Sequence, residues 1–158
     1  MNIKELEEYF RTLPNTIMED CAHIVAETAT EYFKQSFARK GFDGNPWAAA
    51  RTPKKRGSLL IDSGALMNSI RPLEVSKSRV VIAAGNAKVT YARVHNEGFN
   101  GTVSVPAHIR KTKKGSVSVT AHTRTAHIIQ RQFLGDAEEL NKKIKERLVG
   151  YINSVTSH

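Results

Sequence analysis

Six histidines, one cysteine and fifteen acidic residues are the side chains of this 158-residue chain that could hold a metal or carry acid–base or nucleophilic chemistry. The histidines are His23, His95, His108, His122, His127 and His158. A zinc or iron centre built on a helix needs two ligands one turn apart, or cysteines at short spacing beside them, and no pair here has that arrangement. His122 and His127 are five apart in a stretch read as extended, where an odd separation turns two side chains to opposite faces. His95 is the best-placed general base, after Tyr91-Ala-Arg-Val and before Asn96-Glu97-Gly98 at an expected strand end. No nucleophile accompanies it: a Gly-x-Ser-x-Gly elbow is absent and the acidic residues mostly fall in the expected helices. The plainer expectation for His95 is a polar ring bonding backbone near a turn. Gly41–Gly44 and Gly98–Gly101 lack the spacing of a phosphate loop or a dinucleotide fingerprint. Cys21 shares an apolar helix face with Ile17, Ile24 and Val25, which predicts a buried thiol, and a single cysteine closes no internal disulfide. The residue types therefore predict no catalytic residue, no metal and no cofactor.

Charge is the stronger signal. The chain carries 24 Lys/Arg against 15 Asp/Glu, a formal net charge of +9. Residues 51–124 hold 14 Lys/Arg and 3 Asp/Glu, whereas residues 1–50 hold 5 and 8. The middle of the chain is basic and the beginning is acidic. Such a basic segment suits an acidic protein surface, a nucleic acid or plain solvent. No helix-turn-helix, zinc finger or aromatic RNA-reading strand accompanies it, so any nucleic-acid contact would be to phosphate and would weaken steeply with salt. The acidic start lacks the regions of a signal peptide, and no apolar run approaches the roughly 20 residues of a membrane span. A soluble protein with no membrane contact, made in the cytoplasm, is expected.

The elements that must position these residues follow from periodicity. Leu6, Phe10, Leu13, Ile17, Cys21, Ile24, Thr28, Tyr32 and Phe33 recur at steps of three or four, the signature of one helix face. Pro14 fits a helix only in its first turn, predicting a short helix over 3–12 and a long one over 14–39. Gly41 to Pro46 ends the long helix, and a basic loop runs on through Trp47, Arg51, Lys54, Lys55 and Arg56. Trp47, with Phe42, is expected as a lid over the core. Ser63 caps a two-turn helix with Leu66 and Ile70 on one face. A hairpin then pairs Leu73 and Val75 with the run Val80 to Ala83, and Val89, Tyr91 and Val94 form a third strand ending at Gly98. Alternation around Val103, Val105, Val117 and Val119, with basic Lys111-Thr-Lys-Lys-Gly115 between, predicts a long hairpin over 101–123 projecting into solvent. A closing helix spans 136–154, with Asp136 at its cap. The fold class is α+β: a long N-terminal helix and a C-terminal helix packed on a mainly antiparallel sheet, in one domain over 1–158, with loop 48–58 and arm 101–123 expected to be mobile.

Four pieces in this order, Phe37-Ala-Arg-Lys-Gly-Phe-Asp-Gly-Asn-Pro-Trp47, Leu60-Ile-Asp-Ser-Gly-Ala-Leu-Met-Asn-Ser-Ile70, Tyr91-Ala-Arg-Val-His-Asn-Glu-Gly98 and Arg131-Gln-Phe-Leu-Gly135, resemble the phage virion-morphogenesis family. That family is similar to tail-completion and neck proteins of tailed phages. One departure stands out: Ile128-Ile129-Gln130 precedes Arg131 where many members are expected to carry a proline. The resemblance implies a non-enzymatic assembly protein of a tailed phage or prophage, acting in tail completion or head–tail joining. It would do so as a ring in the virion, a monomer or weak oligomer in isolation, with the head-connector and tail proteins as partners. Gly41, Trp47, Gly64, Leu66, Tyr91, His95, Gly98, Arg131, Phe133 and Gly135 are then structural positions. Arg51, Lys54, Lys55, Arg56, Arg110, Lys111, Lys113 and Lys114 are the expected surface for self-assembly and partners. The second expectation is a basic accessory protein making nonspecific contacts to DNA phosphate.

Overall fold

A computed structural model describes residues 3–12, 14–52 and 55–157, apart from the side chains of Leu6 and Phe10. Leu13, Lys54 and His158 lie outside the described residues, as do the side chains expected on the helix face at Leu6 and Phe10.

Helix α1 (Ile3–Thr12) is followed by α2 (Asn15–Arg39), with Pro14 at the α2 N-cap, where its missing N–H costs nothing. The long helix ends at Lys40, a left-handed residue whose N–H reaches Ser36 O. The stop itself is a tight hairpin of two short strands, β1 (Gly41–Phe42) and β2 (Asn45–Pro46). Asp43 and Gly44 both take positive φ in its turn, as an Asp-Gly pair does when it joins two strands directly. Helix α3 (Ala65–Asn68) is one turn instead of two, and Ser63 Oγ accepts the Ala65 N–H at its start as expected.

The first large hairpin pairs β3 (Arg71–Ser76) with β4 (Arg79–Ala83), with a bulge between Pro72 and Glu74 that leaves Leu73 exposed. Next comes the main departure from expectation. Ala92–Glu97 is helix α4, not a third strand, and Gly98 ends that helix instead of ending a strand. Helical spacing sets Tyr91 edge-on to His95, pairs Arg93 with Glu97 at 2.9 Å, and turns Ala92 into the core. Burial of Ala92 in the core outweighs the β-branched pattern of Val89 and Val94, and the exposed i,i+4 contacts add a little to it.

The arm is longer than 101–123. Strand β5 (Phe99–Val105) pairs with β8 (His122–Ile128), and further out β6 (His108–Thr112) pairs with β7 (Gly115–Val119), both antiparallel. Pro106-Ala107 and Thr120-Ala121 interrupt the ladders between them. The chain closes with α5 (Glu138–Thr156), which packs along α2. The α+β class and antiparallel pairing agree with the sequence, with the strands distributed over four two-stranded ladders.

The main core gathers Tyr32, Phe33 and Phe37 of α2, Phe42, Trp47, Leu66, Ile70, Phe133 and Leu140. Trp47 is the lid it was expected to be, edge-on to Phe37 with ring centroids 5.5 Å apart. A second cluster joins Cys21 to Leu148 and Ile152 of α5. The Cys21 thiol is buried, and burial, then the nearby Asp20 charge, pushes its pKa up, away from the thiolate that nucleophilic chemistry needs.

Candidate assembly surface

The connection from β8 to α5 has no regular structure of its own, so its backbone must find partners elsewhere. Asn96, at the end of α4, supplies most of them. Its Oδ1 accepts the N–H groups of Phe133 (2.9 Å) and Leu134 (3.0 Å), and its Nδ2 donates to Leu134 O at 3.0 Å. Arg131 N–H donates to His95 O, and Gln130 Nε2 to Asn96 O. Phe133 is thereby held in the core against Phe37. Gly98, at φ 78°, lies so close to this segment that an added Cβ would meet Gln130 and Ile128 O at 3.2 Å.

Arg131 reaches the other way. Its Nε donates to Ala48 O at 2.9 Å and an Nη to Ala49 O at 3.2 Å, while Trp47 Nε1 donates to Gln132 O at 2.6 Å. The start of the loop 48–58 is thus tied to the same junction. Arg51, Lys55 and Arg56 project from that loop into solvent. Lys54 lies outside the described residues.

The arm leaves this junction from both sides, β5 after Gly98 and β8 before Gln130. Its inner part is two-faced: Phe99, Gly101, Val103 and Val105 are half-buried on one face, and Asn100, Thr102 and Ser104 are exposed on the other. Beyond it every residue from 106 to 118 is exposed, including Arg110, Lys111, Lys113 and Lys114 around the tip. These four cations make no ion pair among the described residues.

The model of the Phage virion morphogenesis family matches residues 1–153. The chain belongs to this family. No curated protein and no solved structure gave a significant match.

In this member of the phage virion morphogenesis family, the four sequence pieces that carry the resemblance converge on the Asn96 junction and its surroundings. Trp47 sits against it through its bond to Gln132 O, and Gly41 begins the β1–β2 hairpin that leads to Trp47. Gly64 caps α3, Leu66 is buried in the same core, Tyr91 at the start of α4 meets His95 edge-on, and Arg131, Phe133 and Gly135 belong to the clamped segment. The two basic segments are set apart from this core, one in the loop and one at the arm tip. Among the described residues no group of three or more His, Cys, Asp or Glu side chains is placed to hold a metal, and no helix is long and apolar enough to cross a membrane.

Two positioning residues, Asn96 and Asp43, carry little signal in the sequence. In the sequence Asn96 stands at an expected strand end, and the one sign of its role is that an amide beside Glu97-Gly98 is a type that stitches local backbone. Asp43 stands in the stop after α2, yet its Oδ1 accepts the Glu139 N–H at 3.0 Å and so caps α5. The expected cap, Asp136, instead accepts from Asn141 Nδ2, and Ala137 occupies the N-cap position without a side-chain bond.

Proposed function

We propose that this protein completes the tail or joins tail to head in a tailed phage or prophage, as a non-enzymatic ring component that binds copies of itself and the head-connector and tail proteins. Membership of the phage virion morphogenesis family supports an assembly role, located in the virion and, during assembly, in the host cell. The observation that carries the finer reading is the arm: a ribbon exposed along 106–118 adds nothing to its own core and offers backbone edges and side chains to a neighbour. Loop 48–58 is the second contact surface in this reading, and both segments order further when a neighbour binds. Electron microscopy of particles assembled without this protein is the test. Unjoined heads and tails are expected, and normal virions would exclude the role.

A second reading has its own support in the unpaired cations at the arm tip, which suit phosphate. A filter-binding titration with duplex DNA separates the two, because affinity built on phosphate contacts falls linearly in log–log terms as salt rises. An assembly role requires no affinity for free DNA.

A further inference from the structure

The arm carries charge of one sign. Residues 99–128 hold five Lys/Arg, namely Arg110, Lys111, Lys113, Lys114 and Arg124, and no Asp or Glu. The outer ladder has two open backbone edges, because β6 and β7 pair with each other and with no further strand among the described residues. The two edges differ. Strand β6 contains Arg110 and Lys111, whereas β7 consists of glycine, serine and valine. A cation on an edge strand repels the same edge of another copy, which is one way natural sheets keep open edges from pairing with themselves. The same cation attracts a strand that brings carboxylates.

Apolar side chains accompany these cations. Ile109 and Val117 are 72% and 52% exposed. Arg110 stands opposite Val117, and Ile109 opposite Ser118. Opposed residues share a face and neighbours alternate, so Val117 lies with Arg110 on one face of the ribbon and Ile109 with Lys111 on the other. Contact with phosphate would satisfy the cations and leave both apolar side chains in water. An added strand covers both kinds, since it sets its own charged and apolar side chains beside them on each face. The pairing of cation with exposed aliphatic therefore favours a polypeptide over a nucleic acid.

We propose that β6 takes up an acidic, extended segment of a different protein of the particle as a third strand, its backbone bonded to the open edge and its carboxylates beside Arg110 and Lys111. Because these two cations face opposite ways, the segment needs Asp or Glu at two consecutive positions, with β-branched residues next to them. A second copy of this chain has no such segment to offer. Of its fifteen acidic residues, eleven lie in helices α1, α2, α4 and α5, and Asp43, Asp62 and Asp136 lie outside helices and strands. The remaining one, Glu74, is in β3 and already paired with Arg79 at 3.7 Å. The inference rests on the assembly reading above and adds the chemistry of the partner and the edge that receives it.

The probe is a short synthetic peptide in which valine and threonine flank two adjacent glutamates, titrated against the full chain by fluorescence anisotropy. It is expected to bind, and the same peptide with glutamines to bind about tenfold more weakly. Arg110→Glu with Lys111→Glu should invert that preference. In hydrogen exchange the bound peptide should slow the outward-pointing amides of β6 and not those of β7. Equal affinity for the two peptides, or no binding of either, would overturn the inference. Duplex DNA that binds the arm in place of the peptide, with an affinity unmoved by Ile109→Ser, would assign the arm to phosphate and also overturn it. In particles, Arg110→Gln with Lys111→Gln should leave heads and tails unjoined although the variant unfolds at the wild-type temperature. Normal joining by this variant would overturn the inference and leave the assembly reading standing, whereas normal virions in the absence of the chain would overturn both.

Discussion

Asn96 commits its whole side-chain amide to the backbone of one segment, which makes it the residue on which the junction depends. Asn96→Ala leaves the Phe133 and Leu134 N–H groups without their acceptor in a part-buried site. A loss of about 2–4 kcal/mol in urea unfolding is expected, whereas Asn96→Asp keeps both accepted bonds and should lose less. Tyr151 offers a residue-scale test by pH. Its hydroxyl donates to Asp20, and that bond first, then burial, then the Asp20 charge, pushes its pKa up to about 12. The folded value lies above the unfolded one near 10, so the contribution of this pair to stability is complete below about pH 10 and disappears as pH rises through 12. Ultraviolet titration should find two tyrosines ionising late, Tyr151 and Tyr32, the latter raised by burial and then by its bond to Glu139, and Asp20→Asn should bring only Tyr151 back toward the ordinary value. Tyrosines that all ionise together in the wild type would contradict the pairing.

Between elements, the turn at Asp43 ties three of them together. Asp43 caps α5 through the Glu139 N–H, its own N–H donates to the Tyr32 hydroxyl, and that hydroxyl donates to Glu139, which also pairs with Arg39 at 3.0 Å. Asp43 has positive φ, a conformation Asp and Asn tolerate and Ala resists. Asp43→Ala should therefore cost about 1–2 kcal/mol in thermal or urea unfolding, and Asp43→Asn much less. Equal effects of the two would show that the cap contributes little. This cap also marks where the sequence stops being legible. Helices α2 and α5 could be read because a helix face repeats every three or four residues within one segment. The capping carboxylate could not, since it lies 96 residues from the N–H it accepts. Helix α4 failed for a different reason: Val89, Tyr91 and Val94 in one short run look like a strand, and the decision came from Ala92 entering a core assembled by α2, α3 and the junction. The candidate site divided in the same way. Its basic segments were legible from charge and alternation, while the clamp that anchors the arm depends on contacts between distant pieces.

For the molecule as a whole, the dimensions of arm and body separate folding from assembly. A straight ribbon from Phe99 to Thr112 at about 3.3 Å per residue spans roughly 45 Å, somewhat more than the roughly 37 Å of α2 at 1.5 Å per residue. A ribbon of two strands is marginal on its own in water, and its outer part buries nothing in the body. Deleting 106–121 and joining Val105 to His122 through a short Asn-Gly turn therefore removes no core residue and keeps the β5–β8 ladder. The shortened chain should unfold within a few degrees of the full-length protein, since surface changes away from the core typically shift stability by about 0.5 kcal/mol or less. It should nevertheless fail to complement a phage lacking the gene, and electron microscopy should then find heads and tails apart. A large drop in thermal stability would mean that the outer arm supports the fold, and full complementation would remove it from the joint. The paired outcome, a stable body and a failed particle, is what a molecule divided into a self-sufficient core and an arm for its neighbours requires.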